Sequence, residues 1–183
     1  MGNPTRDKLE NKIADLAGGE SALALASGIA AVSGLILGKL EAGDHLLAPL
    51  NLYGGSHDFF SKSLPNWNIE VSYVDMTDVD KIEKEIKENT KMIFVETPAN
   101  PTLTVVNLEE IVKIADKYEL LSAVDNTFMS PYLQRPLEYG IDFSVHSATK
   151  YIGGHGDTVA GFIIGNQEEI GKLRSGIIKD LGG

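Results

Sequence analysis

Short apolar runs alternate with longer amphipathic ones along almost the whole chain, and this alternation restricts the fold more than any other feature. Leu46–Leu50, Ile69–Val74, Met92–Val95, Leu120–Val124, Phe143–Val145 and Val159–Ile164 read as buried strands. Ile29–Leu40, Val79–Lys87, Leu108–Tyr118 and Glu168–Asp180 read as helices, preceded by a helical stripe of Leu9, Ile13 and Leu16. In Leu108–Tyr118 the apolar residues Leu108, Ile111, Val112 and Ala115 fall on one face. Strands separated by helices are joined by crossovers, and right-handed crossovers cover both faces of the sheet. The expected class is therefore α/β, a three-layer αβα domain on a mainly parallel sheet. No repeat or linker divides the chain, so residues 1–183 are expected to form one domain.

Polar residues gather just after the strands. Asn51 and Tyr53 follow one, Glu96 and Asn100 the next, Asp125 and Thr127 another, and Ser147, Thr149 and Lys150 another. Open α/β sheets bind ligands at the carboxyl ends of their strands, so these groups are expected along one rim. The charge balance narrows the ligand. Sixteen basic against 26 acidic residues give a formal net charge of -10, and no basic stretch offsets it, which argues against nucleic acid and anionic membrane as partners. Cysteine is absent, which excludes disulfides, and His45, His57, His146 and His155 lack the spacing of a zinc site. Met1-Gly2 opens like an acylation site, but Arg6 stands where serine or threonine is required. With no signal-peptide pattern and no membrane-length apolar run, the expectation is a cytoplasmic enzyme or binding domain.

Lys150 lies in Ser147-Ala148-Thr149-Lys150, ahead of the flexible Gly153-Gly154-His155-Gly156. A lysine amine can form a Schiff base with an aldehyde cofactor, and neighbouring hydroxyls can hold a phosphate, so the pattern suits pyridoxal 5'-phosphate (PLP). Asp125 closes an apolar run, where a carboxylate is costly to bury unless paired. It suits an ordinary turn, and equally a partner for a pyridinium nitrogen. Ser27 before Gly28 and Ile29 is an N-cap, and the free N–H groups of that helix start can also bind an anion. Ser147 and Thr149 offer hydroxyls to the same anion. Tyr53, before Gly54-Gly55, can stack on a ring and move a proton through its hydroxyl. Asn100, restricted by Pro101, can aim its amide at the cofactor's phenolic oxygen.

Several stretches, taken in order, carry a resemblance. They are Asn3-Pro4-Thr5-Arg6, Ser27-Gly28-Ile29-Ala30-Ala31, Tyr53-Gly54-Gly55, Glu96-Thr97-Pro98-Ala99-Asn100-Pro101, Val124-Asp125-Asn126-Thr127-Phe128 and Ser144-Val145-His146-Ser147-Ala148-Thr149-Lys150-Tyr151. The chain resembles the Cys/Met-metabolism family of PLP enzymes, which includes methionine γ-lyase, cystathionine γ-lyase, cystathionine γ-synthase and O-acetylhomoserine sulfhydrylase. The resemblance implies the large domain of a fold-type I, aspartate-aminotransferase-like PLP enzyme. It implies Lys150 as the Schiff-base lysine and proton carrier, Asp125 on the pyridine nitrogen and Tyr53 on the ring as acid for the leaving group. Gly28, Ile29, Ser147 and Thr149 would bind phosphate, Asn100 would lie near the ring oxygen, and Thr127 would pack on the ring face.

Gly154-His155-Gly156-Asp157 and Thr97-Pro98-Ala99-Asn100 look most like methionine γ-lyases, which implies α,γ-elimination to a thiol, a 2-oxo acid and ammonia. The chain departs at Gly55, where methionine γ-lyases often carry cysteine. The other family reactions, and a truncated non-catalytic PLP-binding module, therefore stay open. By resemblance the assembly would be a homodimer or homotetramer with the site at a subunit interface. The family's N-terminal arm and smaller C-terminal domain are expected to be absent from these 183 residues, which end at Gly182-Gly183.

Overall fold

A computed structural model describes residues 3–181. Met1-Gly2 and Gly182-Gly183 lie outside the described residues. The helices are α1 (Pro4–Ala17), α2 (Gly28–Lys39), α3 (Gly54–Asp58), α4 (Val79–Glu85), α5 (Leu108–Tyr118), α6 (Ser130–Leu133), α7 (Gln167–Ser175) and α8 (Ile177–Leu181). The strands are β1 (Ser21–Leu25), β2 (His45–Pro49), β3 (Glu70–Val74), β4 (Thr90–Glu96), β5 (Leu121–Asp125), β6 (Phe143–Ser147) and β7 (Gly161–Gly165). They form one sheet in the order β1-β7-β6-β5-β4-β2-β3. β3, β2, β4, β5 and β6 are mutually parallel, while β7 pairs antiparallel with both β6 and β1. The mainly parallel sheet expected from the alternation is present, with β7 as the reversed strand.

Strand alternation sorts the core into layers. Leu46 and Ala48, Met92 and Phe94, and Ala123 face one side, where Val32, Leu35 and Ile36 of α2, Ile170 and Leu173 of α7 and Ile178 of α8 cover them. Leu47, Ile93, Val95 and Val124 face the other side, against Ile82 of α4 and Leu108, Ile111, Ile114 and Ala115 of α5. Ala22, Phe162 and Ile164 pack on Ile13, Ala14 and Ala17 of α1. The result is a three-layer αβα arrangement. No helix among the described residues is long and apolar enough to cross a membrane.

Some elements differ from the sequence reading. Leu9 and Leu16 are exposed, and the buried face of α1 runs through Glu10, Ile13, Ala14 and Ala17. Glu10 is buried because its carboxylate has partners: Arg6 Nε at 2.9 Å, Arg174 Nη2 at 2.7 Å and the Ala24 N–H at 2.8 Å. These bonds, led by Arg174, outweigh burial and hold its carboxyl below the usual 4.5. The C-terminal helical stretch is broken at Gly176 into α7 and α8.

The carboxyl ends of β1, β2, β4, β5 and β6 share one edge of the sheet. Because β7 is reversed, its first residue, Gly161, lies at that same edge, opposite Leu25 and Ser147. A Cβ on Gly161 would stand 2.1 Å from the Ser27 carbonyl oxygen and 2.9 Å from the Gly28 nitrogen. The start of α2 therefore lies directly on β7. Gly161→Ala is expected to lower the denaturant midpoint, costing about 1–3 kcal/mol of stability, because backbone rather than a flexible side chain must move. Gly171→Ala, in the interior of α7 with nothing within 4 Å of a new Cβ, is expected to raise it by about 0.5–1 kcal/mol. Equilibrium urea unfolding of the two variants checks both.

Candidate active site

A cavity of about 260 Å³ opens at this edge. Gly28, Ile29, Tyr53, Asn100, Asp125, Thr127, Ser147, Thr149 and Lys150 all line it. The residues singled out in the sequence thus come from separate loops and meet in one place, joined by Glu96, Ser27, Ser56, Phe128 and Val159.

One end of the cavity is built to receive an anion. Ser27 caps α2, its Oγ accepting the Ala30 N–H at 3.1 Å, while its carbonyl accepts the Ala31 N–H at 3.0 Å. The N–H groups of Gly28 and Ile29 have no partner among the described residues, as the geometry of a helix start dictates. A Cβ on Gly28 would meet the Ser147 Cβ at 2.6 Å, so glycine lets the helix start lie against the end of β6. Ser147 Oγ makes no hydrogen bond among the described residues. Thr149 is committed elsewhere: its hydroxyl donates to the Ala160 carbonyl at 3.3 Å and accepts the Ala160 N–H at 3.2 Å. It would have to release the Ala160 carbonyl to donate to a ligand.

The floor is acidic. Asp125 is 9% exposed, and Thr127 gives its Oδ1 both its hydroxyl, at 2.5 Å, and its N–H, at 3.0 Å. Thr127 Oγ1 in turn accepts the Ser147 N–H at 2.8 Å, tying the ends of β5 and β6 together. Asp125 Oδ2 has no protein partner among the described residues. Burial pushes the carboxyl of Asp125 up, against the opposing pull of the two Thr127 bonds. Beside it, at the matched end of β4, lies Glu96, 6% exposed. Burial, then the charge of Asp125, pushes Glu96 from the ordinary 4.5 to about 7. The sequence places Glu96 among the polar residues of the rim but assigns it no role of its own. The available signal was its position, a carboxylate closing a buried strand just as Asp125 does.

Lys150 is exposed at the rim, in a turn where its N–H donates to the Ser147 carbonyl at 3.2 Å and its carbonyl accepts the Gly154 N–H at 2.7 Å. Its Nζ makes no hydrogen bond or ion pair among the described residues. Tyr53 is 50% exposed and folds over Gly55, whose hypothetical Cβ would lie 2.5 Å from Tyr53 Cε1. Asn100 is half-buried, and its side-chain amide makes no hydrogen bond among the described residues.

The Cys/Met metabolism PLP-dependent enzyme family matches residues 1–183. The chain belongs to that family. It is 43% identical over 184 residues to the L-methionine gamma-lyase of Fusobacterium nucleatum subsp. nucleatum, covering 100% of this chain and 47% of that one. It is 44% identical over 171 residues to the cystathionine beta-lyase of Bacillus subtilis (strain 168), covering 93% of this chain and 44% of that one. The crystal structure of metB from Corynebacterium glutamicum superposes with a TM-score of 0.92 at 41% identity, over 94% of this chain and 45% of that one. The chain thus spans about half the length of the curated relatives it matches. The fold is that of the fold-type I PLP enzymes, and the cofactor of the family is pyridoxal 5'-phosphate.

The residues present fit that cofactor. Asp125, a residue 9% exposed that lines the cavity, has no donor to its Oδ2 among the described residues, and a protonated pyridine nitrogen supplies one. The unpaired N–H groups of Gly28 and Ile29, with Ser147 Oγ, form a donor set for a phosphate at a helix start. The amine of Lys150 is uncommitted.

Two outcomes follow from the geometry. A Gly55→Ala substitution is expected to displace the Tyr53 ring, read as a changed tyrosine fluorescence or a shifted ring resonance with unaltered far-UV circular dichroism. For Glu96, folded and unfolded chains both carry the proton below pH 4.5, and the unfolded chain alone releases it as the pH rises toward about 7. This group's contribution to stability is thus complete in acid and lost by neutral pH, a fall of about 3 kcal/mol. The variant Glu96→Gln is expected to show a shallower decline in unfolding free energy over that interval.

Proposed function

We propose that this chain is the cofactor-binding large domain, residues 1–183, of a PLP-dependent enzyme that cleaves sulfur amino acids, with methionine γ-elimination as the leading reaction. The observation that carries the reading is the unpaired Oδ2 of buried Asp125 in the cavity that the Lys150 amine borders. A solvated turn has no use for a buried acid, whereas a pyridinium ring compensates it.

When bound, PLP supplies an electron sink for charge developing on the substrate's α-carbon. The residues of the chain do the rest. Gly28 and Ile29 N–H and Ser147 Oγ hold the phosphate, and Thr149 joins them if its hydroxyl turns from Ala160. Asp125 keeps a proton on the pyridine nitrogen, with Thr127 fixing its orientation. Lys150 Nζ would hold the cofactor through its aldehyde carbon, and its free amine would take the substrate's α-proton. Tyr53, half-exposed and lining the cavity, is suited to protonate a departing sulfur through its hydroxyl. Asn100 offers its amide to the ring oxygen. The likeness of Gly154-His155-Gly156-Asp157 and of Thr97-Pro98-Ala99-Asn100 to methionine γ-lyases supports methionine as substrate, giving a thiol, a 2-oxo acid and ammonia.

A second reading is β-elimination from cystathionine, which was not among the reactions weighed from the sequence. It is favoured by the relatives of that name, whose identities of 44–46% match the 42–45% of the γ-lyases. Glycine at position 55, rather than cysteine, keeps it in contention beside the cystathionine γ-lyase, cystathionine γ-synthase and O-acetylhomoserine sulfhydrylase reactions. A non-catalytic module has less to support it, since such a module needs neither Lys150 nor Tyr53. The reading takes the assembly to be a cytoplasmic homodimer or homotetramer with the site at a subunit interface.

Adding PLP to the purified chain is expected to give a visible absorption band that Lys150→Ala abolishes, and borohydride is expected to fix the cofactor's mass on the Lys150 peptide. Asp125→Asn is expected to weaken cofactor binding about tenfold to a hundredfold. A perturbation of the band by methionine but not by cystathionine supports γ-elimination of methionine, and the reverse supports a cystathionine enzyme. Absence of the band from the parent chain overturns the reading.

A further inference from the structure

Glu96 uses its two carboxylate oxygens on two different loops. Oε2 accepts the backbone N–H of Tyr53 at 2.8 Å, and Oε1 accepts that of Asn100 at 2.7 Å. Tyr53 belongs to the segment after β2 and Asn100 to the loop after β4, and both side chains line the cavity. Among the described residues the other hydrogen bonds of these two segments do not join them to each other, and the loop after β4 is also tied to Gln134, whose Nε2 donates to the Thr97 carbonyl at 3.4 Å. The Leu50 N–H donates to the Val74 carbonyl at 3.0 Å, the Ala99 N–H to the Thr104 carbonyl at 2.9 Å and the Val106 N–H to Thr97 Oγ1 at 2.9 Å. Glu96 is anchored at its own backbone by β4, whose end is in register with Asp125 on β5.

We propose that Glu96 is a positioning residue, a buried carboxylate that fixes the backbones of Tyr53 and Asn100 relative to each other and to Asp125. The role belongs to the ionised carboxylate, the form the folded chain holds above about pH 7. Only that group offers two acceptor oxygens without a donor, whereas glutamine offers one oxygen and an NH₂ that repels the second N–H. The location also costs stability, since Glu96 is buried beside another acid. An apolar residue would avoid that cost, so the two loop contacts are the physical reason a carboxylate is useful here. Fixing these backbones sets where the Tyr53 ring and the Asn100 amide enter the cavity. The consequence for the cofactor rests on the function proposed above, but the link between the loops does not.

The test is residue-resolved hydrogen exchange of the chain without cofactor, comparing the parent with Glu96→Ala and Glu96→Gln. In Glu96→Ala both the Tyr53 and Asn100 amides are expected to exchange about tenfold or more faster, with Phe94 and Val124 in the core unchanged. In Glu96→Gln only one of the two is expected to accelerate. If Glu96→Ala does not fold, the glutamine variant decides. Parent-like exchange at both amides in Glu96→Gln, or in a folded Glu96→Ala, overturns the proposal. With PLP added, Glu96→Gln is expected to bind about tenfold more weakly while keeping attachment at Lys150. A parent chain that binds no PLP would overturn the functional reading and leave the exchange result standing.

Discussion

The contact on which the site depends is backbone against backbone. The Ser27 carbonyl lies where a Cβ of Gly161 would be, and Gly28 lies against Ser147 so closely that a Cβ would approach it to 2.6 Å. Two glycines therefore bring the first turn of α2 onto the ends of β6 and β7. Without that approach, the unpaired N–H groups of Gly28 and Ile29 would face solvent rather than the cavity that Lys150 borders. The reversed direction of β7 makes the contact possible, because it brings the start of that strand to the edge where the parallel strands end.

From this seat the cavity gains two poles of opposite preference. The helix start offers donors and partial positive charge to an anion. The floor offers acids: Asp125, with one oxygen bound twice by Thr127 and the other unbound, and Glu96 at the matched position on β4. Both acids are pushed upward by burial, which is a cost in folding free energy. A ligand with a phosphate at one end and a protonated ring nitrogen at the other complements both poles. The charge pattern, rather than the volume of the cavity, matches the cofactor of the family.

Parts of this were legible in the chain itself. Leu108–Tyr118 was readable as a helix to the residue, because its apolar stripe is strong and Asn107 and Glu119 bound it sharply. Asp125 stood out as an acid ending an apolar run, and Lys150 as an amine between hydroxyls and glycines. Other parts were not. β1 is short and rich in alanine, α3 opens on two glycines and α6 has only four residues, so none carries a clear period. Leu9 and Leu16 suggested the wrong buried face of α1, because a carboxylate with three partners, two of them distant in sequence, occupies the true one. Thr149 looked like a free hydroxyl until Ala160, eleven residues on, was found bonded to it.

The sequence by itself determined the α/β class, the strand-end placement of the polar residues and the family, since these rest on local periodicity and on short ordered motifs. The tertiary structure alone decided the direction of β7, the role of Gly161 and the double use of Glu96. Each of those is a relation between segments far apart in the chain. Steric exclusion at 2.1 Å and the sharing of one carboxylate by two loops act through space, and no local pattern of residue types encodes them.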